Sequence, residues 1–282
     1  MNYRHGFHAG NHTEVFKHSA LVTLLELMRV KGKHLAVIDT HAGVGVHDLG
    51  SEMATRTREA DFGIRKVATT DDPALRGYLD LVRATGGDAI THYPGSPEIV
   101  RRLLRSDDRL VACELHPEDA AALRSNMRGD RRVSVHHRDG YEAMLALVPP
   151  PERRGLVLID PPFERPDEAE MLADRLERAV RKWGTGVFTA WFPIKDRAVE
   201  KELRTMVARN PIKNALIARF LALPYNGRRL CGGGILVINP PWGLDGKLAA
   251  LCEALARSYE QADWTLDRIA RDGSPVNERG RR

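Results

Sequence analysis

Leu156-Val157-Leu158-Ile159-Asp160-Pro161-Pro162-Phe163 is the stretch on which the reading of this sequence turns. Four consecutive apolar residues predict a buried parallel strand, with an acid, two prolines and an aromatic at its carboxyl end. In an open α/β sheet that end is where ligands bind and chemistry is done. Two readings of the tetrapeptide stand open on these residues alone. One is a tight turn with Asp160 capping a following helix, since turns favour such residues. The other is a device for activating an exocyclic amino group, a poor nucleophile because its lone pair is delocalised into a ring. Bonding both of its hydrogens to acceptors pulls the nitrogen toward a tetrahedral shape and frees the pair for attack. Asp160 offers a carboxylate oxygen, Pro161 a backbone carbonyl held by the rigid Pro-Pro turn, and Phe163 a face for a flipped base.

Length and composition set the frame. At 282 residues the chain has room for one large α/β domain with an insertion, or for two small domains. Its 43% hydrophobic and 29% charged residues are those of a soluble globular protein, and the net charge of +5 suits a polyanionic partner. Cys113, Cys231 and Cys252 lie far apart, match no metal spacing and give no disulfide framework. The amino-terminal residues have no apolar signal-like region and no run of about 18 apolar residues occurs, so a cytoplasmic protein without membrane contact is expected.

Residues 1–49 read as a polar segment, an amphipathic helix from Thr13 to Arg29 and the first core strand, Leu35 to Asp39. His5, His8, His12 and His18 raise the question of a metal, but Glu14 is the only carboxylate among them and no ligand set emerges; no metal is expected. Lys17 and His18 sit in the first turns of the helix, within reach of an adjoining ligand. The strand runs into Thr40-His41-Ala42-Gly43-Val44-Gly45, a small-residue turn that lets a ligand approach the backbone. Lacking the third glycine of the dinucleotide fingerprint, it fits an ordinary strand-to-loop turn as well. An acid followed by a glycine turn also suits S-adenosylmethionine, with its zwitterionic amino-acid moiety and cationic sulfonium.

Residues 50–93 read as an inserted helical subdomain, with Arg56, Arg58, Arg65 and Lys66 exposed as a solvated face or as a grip on substrate backbone. Residues 94–270 read as the remainder of the core. Tyr93-Pro94-Gly95-Ser96-Pro97 returns the chain as a turn whose Ser96 hydroxyl is able to bond a ligand. Glu114 closes the second strand, where a nucleoside-binding fold puts its ribose-binding acid, and Asp139-Gly140 follows the third, where a carboxylate can accept an adenine amino group. Singly, each acid reads equally as a surface acid or a helix cap. Strands at Gly186–Pro193, Ala215–Leu223 and Gly234–Asn239 follow, the last two paired antiparallel through the Tyr225-Asn226-Gly227 turn. Residues 271–282 are polar and basic and are expected to form a disordered tail.

Five alternating β/α units and then an antiparallel pair predict a Rossmann-like S-adenosylmethionine-dependent methyltransferase fold. It is an α/β architecture with a seven-stranded, mostly parallel sheet, one antiparallel strand and an inserted small helical subdomain. Arg4-His5-x-Phe7-His8-Ala9-Gly10-Asn11-His12, Lys17-His18, Asp39-Thr40-His41-Ala42-Gly43, Tyr93-Pro94-Gly95-Ser96-Pro97, Glu114-Leu115-His116-Pro117, Asp139-Gly140, Ile159-Asp160-Pro161-Pro162 and Ile238-Asn239-Pro240-Pro241-Trp242 point further. Together they resemble the family of bacterial 23S ribosomal RNA adenine-N6 methyltransferases known as large-subunit methyltransferase J, over nearly the whole chain. The resemblance implies cofactor contacts at Lys17, His18, His41, Ser96, Glu114, Asp139, Gly140 and Asp160. It implies a catalytic group of Asp160, Pro161 and Phe163 holding the target amine, and an acceptor-side segment containing Tyr3 and Arg4. It further implies 23S rRNA as partner, and a cytoplasmic monomer is the expected form. Phe163 stands where that family usually has tyrosine, which removes a hydroxyl and keeps the stacking face. Asp-Pro-Pro-aromatic alone is shared with DNA adenine and protein glutamine methylases, and a non-catalytic RNA-binding module on the same scaffold is the remaining alternative.

Overall fold

The computed structural model describes residues 5–210, 212, 214–269 and 275–278. Strands β1 (Ala36–Asp39), β2 (Val46–Asp48), β3 (His92–Pro94), β4 (Arg109–Glu114), β5 (Val133–His137) and β6 (Gly155–Ile159) alternate with helices. So do β7 (Val187–Ile194), β8 (Ala215–Leu221), β9 (Gly232–Ile238), β10 (Asp263–Ile269) and β11 (Pro275–Glu278). The main sheet is nine-stranded, in the order β11-β10-β8-β9-β7-β6-β1-β4-β5, and β2 with β3 forms a separate ribbon. β5, β4, β1, β6 and β7 run parallel, and β9 enters antiparallel between β7 and β8.

The helices are α1 (His12–Arg29), α2 (Glu52–Thr57), α3 (Glu59–Phe62), α4 (Ile64–Val67), α5 (Arg76–Gly86), α6 (Ser96–Leu103), α7 (Pro117–Asn126), α8 (Gly140–Leu147), α9 (Glu168–Lys182), α10 (Ala198–Arg209) and α11 (Leu244–Ala256). They cover both faces of the sheet, as the continuous apolar runs of its central strands require. Val37, Leu156, Leu158, Ile235 and Val237 face a core shared with α1, α6 and α11. Their neighbours Ile38, Val157, Ile159, Leu236 and Ile238 face a second core with α8, α9 and α10. Among the described residues no helix is long and apolar enough to cross a membrane.

Two expectations need correction. Beyond the predicted seven strands, β10 pairs antiparallel with β8, with Leu266 packing into the core on one face of the sheet and Ile269 into the core on the other. Within the segment expected to be disordered, Pro275–Glu278 pairs with β10 as β11; the remaining positions of 271–282 lie outside the described residues.

The insertion has a structural task at its junction with the chain start. Asn11 caps α1, its Oδ1 accepting from the amides of Thr13 and Glu14 at 3.0 and 2.9 Å. Its Nδ2 donates to Glu59 at 2.8 Å, and His8 Nδ1 lies 3.0 Å from the same carboxylate. The Ile64 amide donates to the carbonyl of Gly10 at 2.8 Å. This close approach needs glycine at 63, where a Cβ would lie 2.0 Å from the Gly10 oxygen. The arginines read as a possible grip are partly spent locally, since Arg58 and Arg65 both pair with Asp61. Gly63→Ala is therefore expected to lower the melting temperature, costing about 1–3 kcal/mol of stability as the N-terminal segment is pushed off. Gly246→Ala, in α11 with no neighbour within 4 Å, should raise it by about 0.5–1 kcal/mol in the same thermal melts.

Candidate active site

β6 ends at Ile159, and the two prolines that follow cannot continue a ladder, so the chain turns away at Asp160. The turn closes with Phe163 in the left-handed region at φ +51°, a strained backbone at a non-glycine residue. This sets the Phe163 ring edge-on to Trp191 of β7, with centroids 5.9 Å apart. Asp160 Oδ2 accepts from Lys17 Nζ at 2.5 Å; Oδ1 has no hydrogen-bond partner among the described residues. Lys17 also donates to Glu14 at 3.2 Å and stands 5.2 Å from the centre of the Trp191 ring. Glu14 in turn accepts the amide of Gly10, tying this cluster to the capped N-terminal segment.

Three cavities meet at Asp160. A cleft of about 600 Å³ is lined by His41, Glu114, Asp139, Gly140 and Pro162 together with Asp160. A pocket of about 110 Å³ on its other side is walled by Pro161, Phe163, Trp191, Pro193 and Leu230, with His8 and Lys17 at its edge. Beneath Lys17 an interior cavity of about 40 Å³ is lined by His18, Asp39, Ser96 and Trp191, enough for a water or two.

Two acids of the cleft, Glu114 and Asp139, are oriented by backbone amides. Glu114 accepts from Gly43 and His116 at 2.8 and 2.7 Å, holding the glycine turn after β1 against the end of β4. Asp139 is the N-cap of α8 and takes the Glu142 amide on one oxygen, leaving the other without a hydrogen bond among the described residues. Asp139 is thus a helix cap that also lines the cleft. Glycine at 140 lets the start of α8 pack against the loop after β1, since a Cβ there would lie 2.1 Å from the Thr40 carbonyl oxygen. The Thr40 hydroxyl gives its single hydrogen to the Leu158 carbonyl, so His41 Nδ1, 2.7 Å away, is the donor to the Thr40 oxygen.

Asp39 closes β1 and is 1% exposed. Burial pushes its carboxyl up to about 7, the neighbouring Asp160 charge adds to the shift, and the Ser96 hydroxyl donating at 2.7 Å opposes it. His18 is sequestered: its Nδ1 lies 2.8 Å from the Tyr93 hydroxyl, which lies 3.0 Å from that of Tyr78. Burial holds its pKa down at about 3, so the imidazole is neutral.

The expected site residues thus divide around Asp160. His41, Glu114, Asp139 and Gly140 line the broad cleft, Lys17, His18 and Ser96 the interior cavity, and Pro161 and Phe163 the small pocket. Tyr3 and Arg4 lie outside the described residues. Asp39, Glu14 and Trp191 were not among the expected site residues. Asp39 carried a signal as the acid ahead of the glycine turn, and Trp191 as an aromatic near the carboxyl end of a core strand.

A five-stranded parallel set with a reversed strand inserted between β7 and β8, and acids gathered at the carboxyl ends of its strands, defines a Rossmann-like methyltransferase fold. Residues 32–269 match the family model described as ribosomal RNA large subunit methyltransferase D, RlmJ. The chain is 38% identical to ribosomal RNA large subunit methyltransferase J of Escherichia coli K12, covering 88% of this chain and 90% of that protein. It is 35% identical to the Haemophilus influenzae protein of the same name, covering 95% and 99%. A crystal structure of a Legionella pneumophila protein superposes with a TM-score of 0.85 at 30% identity, covering 92% of this chain and 98% of that one. The chain belongs to the ribosomal RNA large subunit methyltransferase J family.

The buried Asp39 predicts a pH dependence. Its folded-state pKa is raised above that of an unfolded carboxylate, so its contribution to stability is fully present below about 4 and is lost as pH rises through about 7. Asp39→Asn removes that loss. Its gain in melting temperature over the unsubstituted chain should be larger at pH 8 than at pH 5.5, and an equal gain at both would contradict an ionising, buried Asp39.

Proposed function

We propose that this chain transfers a methyl group from S-adenosylmethionine to the exocyclic N6 amino group of an adenine in 23S rRNA. The observation that carries the reading is the position of Asp160, between a cofactor-sized cleft and a small pocket walled by Phe163 and Trp191. The cleft fits the cofactor chemically. Glu114 and Asp139 present carboxylates at the ends of adjacent strands, and one oxygen of Asp139 has no hydrogen bond among the described residues. Glu114 would hold the ribose hydroxyls and Asp139 the adenine amino group, with His41 toward the methionyl side, Lys17 and Ser96 at the adjoining small cavity, and the sunken His18 supporting them from behind. Bound there, S-adenosylmethionine supplies an electrophilic methyl group.

The protein's own part is positioning and hydrogen bonding. Asp160 Oδ1 accepts one hydrogen of the target amine and the Pro161 carbonyl the other, which turns the nitrogen lone pair toward the cleft. Phe163 stacks the flipped ring, and Trp191 closes the pocket behind it. Lys17 holds the Asp160 carboxylate by its other oxygen, so the acceptor oxygen stays aimed. Asp160 takes up the surplus proton once the new N–C bond has formed. The family relatives, named for methylation of large-subunit ribosomal RNA, support the substrate class.

Asp160→Ala is expected to lower turnover by about 10²–10⁴-fold or more while calorimetry finds S-adenosylmethionine affinity close to that of the unsubstituted chain. Phe163→Tyr should stay active, and Phe163→Ala should lose about tenfold or more in kcat/KM through lost stacking. The direct test is transfer of tritiated methyl to 23S rRNA, followed by nuclease digestion and mass spectrometry for N6-methyladenosine. Substantial methylation by Asp160→Ala, or preferential labelling of DNA or of glutamine peptides, would overturn the assignment.

A further inference from the structure

Two loops frame the mouth of the small pocket beside Asp160. β7 ends at Ile194 and continues through Lys195-Asp196-Arg197, and the hairpin joining β8 to β9 carries Tyr225-Asn226-Gly227-Arg228-Arg229 at its tip. The sheet holds them side by side: Ile194 pairs with Gly232, and the Cys231 amide donates to the Ile194 carbonyl at 3.0 Å. The hairpin tip is a built turn. Asn226 Oδ1 accepts from the amides of Arg228 and Arg229 at 3.0 and 3.1 Å, and Gly227 adopts φ +69°. One residue inward, Pro193 and Leu230 line the pocket together with Asp160, Phe163 and Trp191.

The side chains on this rim are exposed and uncommitted. Lys195, Arg197, Arg228 and Arg229 are exposed and make no ion pair with an acid among the described residues. Asp196, between Lys195 and Arg197, accepts the Ala198 amide at the start of α10. The Arg197 guanidinium lies 5.5 Å from the centre of the Tyr225 ring, and Tyr225 itself is 42% exposed. Four exposed cations with no ion pair among the described residues and a tyrosine, beside a pocket of about 110 Å³ walled by Phe163 and Trp191, match one kind of ligand. That ligand is a nucleic-acid strand whose base has left the stack while its phosphates stay outside.

We propose that these two loops are the RNA grip of the enzyme. Lys195, Arg197, Arg228 and Arg229 hold phosphates of the strand flanking the target adenine, and Tyr225 stacks on an adjacent unpaired base. The inference rests on the proposed RNA methylation and adds to it the surface that holds the strand and the single-stranded form in which it is held. A protein partner on the same rim would not have its binding follow salt with a slope set by phosphate count.

The test begins with the unsubstituted chain on a 23S rRNA fragment. Absence of RNA methylation there counts against the proposed function, whereas the loop variants bear only on the grip. The double variant Arg228→Ala, Arg229→Ala should raise KM for RNA about tenfold, with kcat at saturating RNA and calorimetric S-adenosylmethionine affinity unchanged. Its slope of log KM against log salt, between about 50 and 200 mM, should fall by about 1.4, since each phosphate of a single strand that is no longer neutralised removes about 0.7. Tyr225→Leu should raise KM about five- to tenfold without changing the slope, and Tyr225→Phe should behave as the unsubstituted chain. The control is Lys31→Ala, Lys33→Ala, two exposed cations ahead of β1, at the amino-terminal end of the parallel strands. Unchanged KM and salt slope in the loop variants, or an equal effect in the control, would overturn the proposal.

Discussion

The ion pair between Lys17 and Asp160 joins side chains 143 positions apart and sets where the first helix lies. That helix precedes the first strand, so the β/α alternation that places the other helices does not place it. Both side chains are largely withdrawn from water, at 14% and 16% exposure, and withdrawal costs several kcal/mol per ion before pairing. Such a pair adds little net stability; its value is register. Glu14 and the Trp191 ring complete the surroundings of the ammonium, and a helix slid by one residue would part Lys17 from Asp160 in a half-buried site. The first turn of the helix is thereby fixed over the carboxyl end of β6, and everything before it must be carried there.

That carrying is done by the insertion. Glu59 takes His8 and Asn11, and the backbone at Gly63 and Ile64 meets Gly10, so the segment entering the first helix is held along its length. Seen as sequence, residues 50–93 are a charged helical stretch that suggests surface. Within the fold, they support the wall of the small pocket through His8 and the helix cap. The capping asparagine links the two roles, its Oδ1 serving the helix and its Nδ2 serving Glu59.

The central strands were legible because buried parallel strands are written as unbroken apolar runs, which is why Ala36–Asp39, Gly155–Ile159 and Gly232–Ile238 were found with small shifts of boundary. The acids closing them were legible for the same reason, as the first polar residues after each run. β10 was not legible, because its two buried apolar residues, Leu266 and Ile269, lie three apart and face opposite sides of the sheet, so no period-2 alternation marks the strand. What no local pattern carries is depth. Asp39 and His18 look from the sequence like residues facing a ligand; the structure sinks both, and desolvation then changes their protonation. Nor does a pattern carry long-range partners, and Glu59, one acid among many, gave no sign of the histidine 51 positions before it.

Charge is sorted around Asp160 in a way that the proposed reaction needs. The broad cleft carries Glu114, Asp119, Asp139, Glu142, Glu164 and Glu168, against Arg165 and Arg175. The rim of the small pocket carries Lys195, Arg197, Arg228 and Arg229. One ligand of the reaction bears a sulfonium and the other is a polyanion, and both must come within bonding distance of one nitrogen. Opposite fields on the two sides raise the cost of a phosphate entering the cofactor cleft while drawing the strand to the other side. Screening limits such discrimination to about 8 Å at physiological salt, so it has to be built into the walls of the two cavities themselves. At the boundary a bare carboxylate would repel the incoming strand and attract the sulfonium to the oxygen that must receive the amine. Lys17 on one oxygen of Asp160 lowers both effects and leaves the other oxygen to its task, which is why the residue that registers the first helix is also the one that sits where the two fields meet.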